Sequence, residues 1–122
     1  MSYQFWMGLG SLLGFIGVGA GAMGAHMLST TLSEKSLSHY QTASQFLFYH
    51  AFALLIFGLW ISKNTNASQI PGWFFIIGVT LFCGSLYILS FTGMKFLGAI
   101  TPFGGISFML GWLTFAYFIF KN

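Results

Sequence analysis

The chain has 122 residues, 57% of them apolar and 20% aromatic, and only five side chains are formally charged: Glu34, Lys35, Lys63, Lys95 and Lys121. Soluble domains carry roughly a quarter charged residues, so this composition excludes a water-facing surface and points to the bilayer as solvent. With a single acid and no arginine, the apolar segments hold neither the cation that anion transport needs nor the carboxylates on which proton coupling relies.

Four apolar stretches stand at about 5–28, 46–61, 70–92 and 96–120. Each approaches the roughly 20 residues that cross about 30 Å of hydrocarbon. They are continuous, without the two-residue alternation of barrel strands, so helices are expected. The fold class is therefore all-α integral membrane: a single-domain four-helix transmembrane bundle, with helices at about 5–28, 40–61, 70–92 and 96–120. A short polar helical connector joins helices 1 and 2.

The first stretch carries Gly10, Gly14, Gly17, Gly21 and Gly24 on one helical stripe and ends in "GAGAMGAH" (19–26). Lipid removes most of the drive to hide apolar area, so helices associate through close backbone approach at small residues. The stripe reads as a packing seam against a neighbouring helix or another subunit, with a groove for a lipid tail or isoprenoid chain as the alternative. The run is long for a cleaved signal peptide and no positive segment precedes it, so it is expected to stay as a helix. His26 closes the run where the helix reaches headgroup level.

In the second stretch "SHYQTASQ" (38–45) extends the helix as a polar turn or two above the membrane, with His39 solvated. His50, in "FLFYHAFALL", falls on the stripe of Ala53, Leu54 and Phe57. The third stretch holds the lone cysteine, Cys83, so no disulfide framework exists, and it offers Gly78, Gly84 and Ser85 for packing. The fourth offers Gly98, Gly104, Gly105 and Gly111, with Pro102 near its start, where a missing N–H costs little.

Trp6, Trp60 and Trp73 fall near the boundary on the terminus side, the place of an aromatic belt. Two lysines lie on each side, a tie under the positive-inside rule; the free amino terminus favours cytoplasmic termini. The net charge of +3 is read as spread over loops without a basic patch, so no nucleic-acid partner is expected. The two halves show no repeat of the kind that builds inverted-repeat transporters.

Four helices place the end of the first, the start of the second, the end of the third and the start of the fourth at one leaflet. That gathers His26, Tyr49, His50, Tyr87, Ser90, Thr92, Thr101 and Pro102 on the face opposite the tryptophans. An ionisable residue inside a membrane is a functional candidate by default. The competing reading is a neutral histidine that ties helices together by hydrogen bonding. Two histidines make half a usual zinc shell, and no membrane carboxylate would orient them; no metal or cofactor is expected. No nucleophile–base–orienter set is evident, so no catalytic residues are assigned.

The blocks "GAMGAH" (21–26), "TA…FYHAFALL" (42–55), "FCGSLYILSFTG" (82–93) and "TPFGGISFMLGW" (101–112), in this order, resemble a family of small bacterial inner-membrane proteins. It is known as domain of unknown function 423, or uncharacterised protein family 0382, and is related to the eukaryotic transmembrane protein 256. His26, His50, Ser85, Tyr87, Thr101 and Pro102 match its pattern, whereas Phe46 and Leu47 stand where that pattern commonly has tyrosine and glutamine. The resemblance implies a four-helix membrane protein and supplies no activity.

The function expected is that of a non-enzymatic structural or accessory component of the inner membrane, a homo-oligomer in contact with membrane lipids. The alternative is a lipid- or quinone-binding module whose headgroup candidates are His26, Tyr49, His50, Ser85, Tyr87 and Thr101. A pore or transporter for a small solute ranks last, because the terminus-side halves of the helices are too apolar.

Overall fold

A computed structural model describes residues 2–121. Helix α1 spans Tyr3–His26 and is capped by Ser2, whose hydroxyl accepts from the Phe5 N–H. Helix α2 spans Glu34–Lys63; Ser33 caps it by accepting from the Ser36 N–H at 3.2 Å. Helices α3 (Ile70–Gly78) and α4 (Gly84–Thr92) run together through a π-helical segment, Val79–Cys83, and α5 spans Leu97–Lys121. Among the described residues, four spans are long and apolar enough to cross a membrane: Tyr3–His26, Glu34–Lys63, Ile70–Thr92 and Leu97–Lys121.

The second span differs from the expected 40–61. Ser33 supplies a cap that starts the helix at Glu34, and 30 residues at about 1.5 Å each make about 45 Å. That exceeds the hydrocarbon thickness, so the N-terminal turns of α2 project beyond it. Pro102 also lies deeper in its helix than expected, past the first turn of α5, where its ring removes the backbone bond to Gly98. Gly93 ends α4 with φ of 69°, its N–H on the Leu89 carbonyl. That left-handed residue reverses the chain into α5 within a few positions.

Helix α2 is the centre of the bundle. Helix α1 lies along one side of it and the π segment and α4 along another, while α5 packs on α3, the π segment and α4. One core cluster surrounds Trp6, Leu54, Phe57 and Phe75; the other surrounds Ala43, Leu47, Cys83 and Phe108.

The five-glycine stripe of α1 does not act as one seam. Gly10, Gly17 and Gly24 are buried. A Cβ on Gly10 would stand 2.8 Å from the Ala51 carbonyl oxygen, and one on Gly24 would stand 2.8 Å from the Tyr40 ring. Gly14 and Gly21 meet nothing within 4 Å. A 3.6-residue period keeps residues seven apart in line, so an α2 lying straight against α1 selects the 10/17/24 series and leaves the 14/21 series to its flank. In α5 the same selection holds. A Cβ on Gly104 would fall onto the Phe82 backbone and one on Gly111 onto the Phe75 ring at 2.7 Å, whereas Gly105 is in ordinary contact and Gly98 is open. The π segment contains Phe82, so the irregular turn and Gly104 together let two backbones meet.

The tryptophan belt also needs correction. Trp6 is fully buried, edge-on to Phe57 at 5.4 Å and to Trp73 at 5.3 Å. Its indole N–H donates to Gln69 Oε1 at 3.3 Å. Trp73 remains at the surface, 41% exposed.

Candidate functional site

The polar side chains expected to converge on one leaflet are separated by the fold into ties between helices. Tyr87 of α4 bonds the Ser44 hydroxyl of α2 at 2.8 Å, and Ser44 donates to the Tyr40 carbonyl at 3.1 Å. The Tyr40 hydroxyl donates to the Ala20 carbonyl of α1 at 2.6 Å. With one proton per hydroxyl, the only consistent order runs from Tyr87 to Ser44 to Tyr40 O. These contacts join α4, α2 and α1, and the Tyr40 and Tyr87 rings meet edge-on at 5.2 Å.

Ser85 of α4 and Thr101 of α5 bond each other at 2.6 Å. Each hydroxyl also reaches a carbonyl of its own helix region, Phe82 at 3.1 Å and Leu97 at 3.2 Å. Two protons serve three contacts, so one carbonyl contact is given up at any instant. Ser107 of α5 donates across to the Phe74 carbonyl of α3 at 2.7 Å.

His50 is the most enclosed of the candidates, 3% exposed and near the middle of α2. Its Nε2 accepts from the Trp112 indole N–H of α5 at 3.1 Å. An indole nitrogen can only donate, so Nε2 carries the lone pair and Nδ1 the proton, which is donated to the Phe46 carbonyl at 2.7 Å. The ring is stacked on Phe108, with centroids 3.6 Å apart and planes 9° from parallel. Both nitrogens of this neutral imidazole are engaged inside the bundle, and metal or haem ligation would first have to break the Trp112 bond.

His26 and Tyr49 do not join these groups. His26 is exposed at the last residue of α1. Tyr49 is 55% exposed and meets Phe46 edge-on at 5.7 Å. Hence Ser85 and Thr101 form one pair, Tyr87 belongs to a second set and His50 to a third. Among the described residues no buried side-chain nitrogen or oxygen lacks a partner.

Tyr40, Ser44, Ser107 and Trp112 were missed as members of these sets. A signal existed for Trp112: a tryptophan far from either boundary needs an acceptor for its N–H, and His50 is a polar side chain at similar depth. Ser44 and Ser107 were visible only as isolated hydroxyls in apolar runs.

The family model described as "Protein of unknown function (DUF423)" matches residues 20–105. A UPF0382 membrane protein of Staphylococcus epidermidis is 44% identical over 106 residues, 86% of each chain. UPF0382 membrane protein YwdK of Bacillus subtilis is 39% identical over 107 residues, 86% of this chain and 87% of that one. A UPF0382 membrane protein of Haemophilus influenzae is 36% identical over 117 residues, 96% of this chain and 94% of that one. No solved structure matches significantly. An all-helical bundle with four membrane-length spans, matched along most of its length by relatives named membrane proteins, belongs to the DUF423 (UPF0382) family of membrane proteins.

Proposed function

We propose that this protein is a non-enzymatic structural or accessory component of the cell membrane. The observation that carries the reading is the fate of His50: the buried imidazole has both nitrogens committed, to Phe46 and Trp112. Satisfied polar groups between helices hold one arrangement, whereas a reactive or ligand-binding group keeps a free lone pair or proton. The hydroxyls of Tyr40, Ser44, Ser85, Tyr87, Thr101 and Ser107 support the same reading, since each is bonded to another helix or to its own backbone. Self-association belongs to this proposal: α1 leaves the Gly14 and Gly21 flank open, and small residues permit close helix approach in lipid. We also take the termini to be on the cytoplasmic side of the inner membrane, which the free amino terminus favours where the lysines tie at two on each side.

Native mass spectrometry of protein extracted in mild detergent tests the reading. Discrete oligomers free of small-molecule cofactors are expected. A quinone or other non-phospholipid adduct at fixed stoichiometry, lost in a His50→Ala variant, would overturn it in favour of a headgroup-binding module.

A further inference from the structure

The lysines are not spread as the sequence suggests. The fold brings Lys35, at the start of α2, and Lys95, in the α4–α5 turn, to the lining of one cavity of about 330 Å³. That volume falls at the lower end of the range for small-ligand sites. Ser33, Ser36 and His39 of the α2 entry complete its polar wall, and Leu89 and Gly93 of α4 form the rest. Two local causes produce the meeting. Ser33 starts α2 early, so that Lys35, Ser36 and His39 occupy one face of its first turns at three- and four-residue spacing. Gly93, at positive φ, reverses the chain after α4 and swings Lys95 toward that face.

We propose that this cavity binds a phosphate-bearing anion, held in the membrane as the phosphate of an anionic phospholipid headgroup. Both ammonium groups, the two serine hydroxyls and the His39 imidazole supply hydrogen-bond donors in one place, and the first turn of the 30-residue α2 adds outward N–H groups and its positive dipole end. Glu34 lies in the same turn, but it is exposed and does not line the cavity.

A lipid is favoured over a free ion by what surrounds Lys95. Phe91, Met94 and Phe96 are 55%, 46% and 60% exposed on and beside the same turn. Large apolar side chains flanking a lysine in a turn belong among acyl chains, and they set the ammonium at headgroup depth. Basic pockets between transmembrane helices are a recurring form of headgroup recognition. The site is separate from the His50 tie, and neither reading needs the other.

The test uses the full chain purified in mild detergent, with equal amounts of phosphatidylglycerol and phosphatidylcholine added and bound lipid read by native mass spectrometry. Wild type is expected to retain phosphatidylglycerol preferentially. At about fivefold per lysine near an anionic surface, Lys35→Gln/Lys95→Gln should bind it roughly 30-fold more weakly. Lys63→Gln/Lys121→Gln, which removes the same charge from the opposite side, should bind as wild type does. All four lysines lie outside the packed core, and circular dichroism checks that each variant is folded.

Retention of phosphatidylglycerol by Lys35→Gln/Lys95→Gln at the wild-type level would overturn the proposal. So would an equal loss in both double variants, which would mean that net charge alone matters. Inorganic phosphate titrated onto delipidated protein separates the sources. A thermal shift abolished by Lys35→Gln/Lys95→Gln, without any phospholipid preference, would support the anion site and overturn the lipid as its occupant. Binding of neither probe would overturn the site altogether.

Discussion

Replacing Trp112 by phenylalanine isolates the interaction at the middle of the bundle. The substitution keeps an aromatic ring beside Phe75, which the indole meets at 5.0 Å, but removes the N–H that His50 Nε2 accepts at 3.1 Å. His50→Phe removes the acceptor and retains a planar ring for the stack on Phe108. Interhelical hydrogen bonds in membrane proteins contribute about 0.6 kcal/mol on average and at most about 1.7. The bond to His50 is enclosed by Phe75 and Phe108 and fixes the tautomer, so its coupling belongs in the upper part of that range, about 1–1.5 kcal/mol. Each single variant strands one polar group and should cost about 1–2 kcal/mol. The double variant strands neither, so it should be about as stable as either single one. The assay is unfolding in mixed micelles by added sodium dodecyl sulfate, followed by far-ultraviolet circular dichroism because tryptophan emission changes with the substitution. Additivity of the two single effects, within the roughly 0.3–0.5 kcal/mol typical of independent sites, would refute the assignment of His50 as a tie.

The glycines of α1 should separate into two classes in the same assay. Gly10→Ala drives a methyl group against the Ala51 carbonyl oxygen and the Leu55 nitrogen, which cannot yield unless the helices move apart, and should cost about 1–3 kcal/mol. Gly14→Ala meets nothing within the chain, and at protein concentrations low enough to keep the chain monomeric it should be neutral or stabilising by up to about 1 kcal/mol, because alanine loses less freedom in a helix; equal effects would contradict the packing described. For orientation, alkaline phosphatase fused to the C-terminal end should be inactive, since its disulfides form only outside the cytoplasm. An active fusion would place the termini on the other side.

The Ser33 cap and the single-turn reversal at Gly93 matter more for chemistry than their size suggests. Each is a local device, but together they decide that Lys35 and Lys95, sixty residues apart in sequence, share one cavity. Counting charges per loop finds both lysines on the same side and still misses the cavity, because distance within a leaflet depends on which helices are neighbours.

The sequence by itself determined the solvent, the number of spans and the helical class. Five charged side chains in 122 residues leave the bilayer as the only medium that can cover the surface, and continuous apolar runs in lipid must close their backbone hydrogen bonds within helices. Helical phase was legible as well: the stripe of His50, Ala53, Leu54 and Phe57 is buried along its whole length.

Only the tertiary structure decided how those faces are used. Periodicity places Gly10, Gly14, Gly17, Gly21 and Gly24 on one broad stripe, but the path of α2 picks three of the five. The headgroup reading grouped His26, Tyr49, His50, Ser85, Tyr87 and Thr101, yet the packing of the helices assigns them to different partners and leaves two at the surface. Hydrogen bonds act over about 3 Å, while a pattern in sequence locates a side chain on an isolated helix only to the nearest turn and face. The choice among partners within that uncertainty is made by packing.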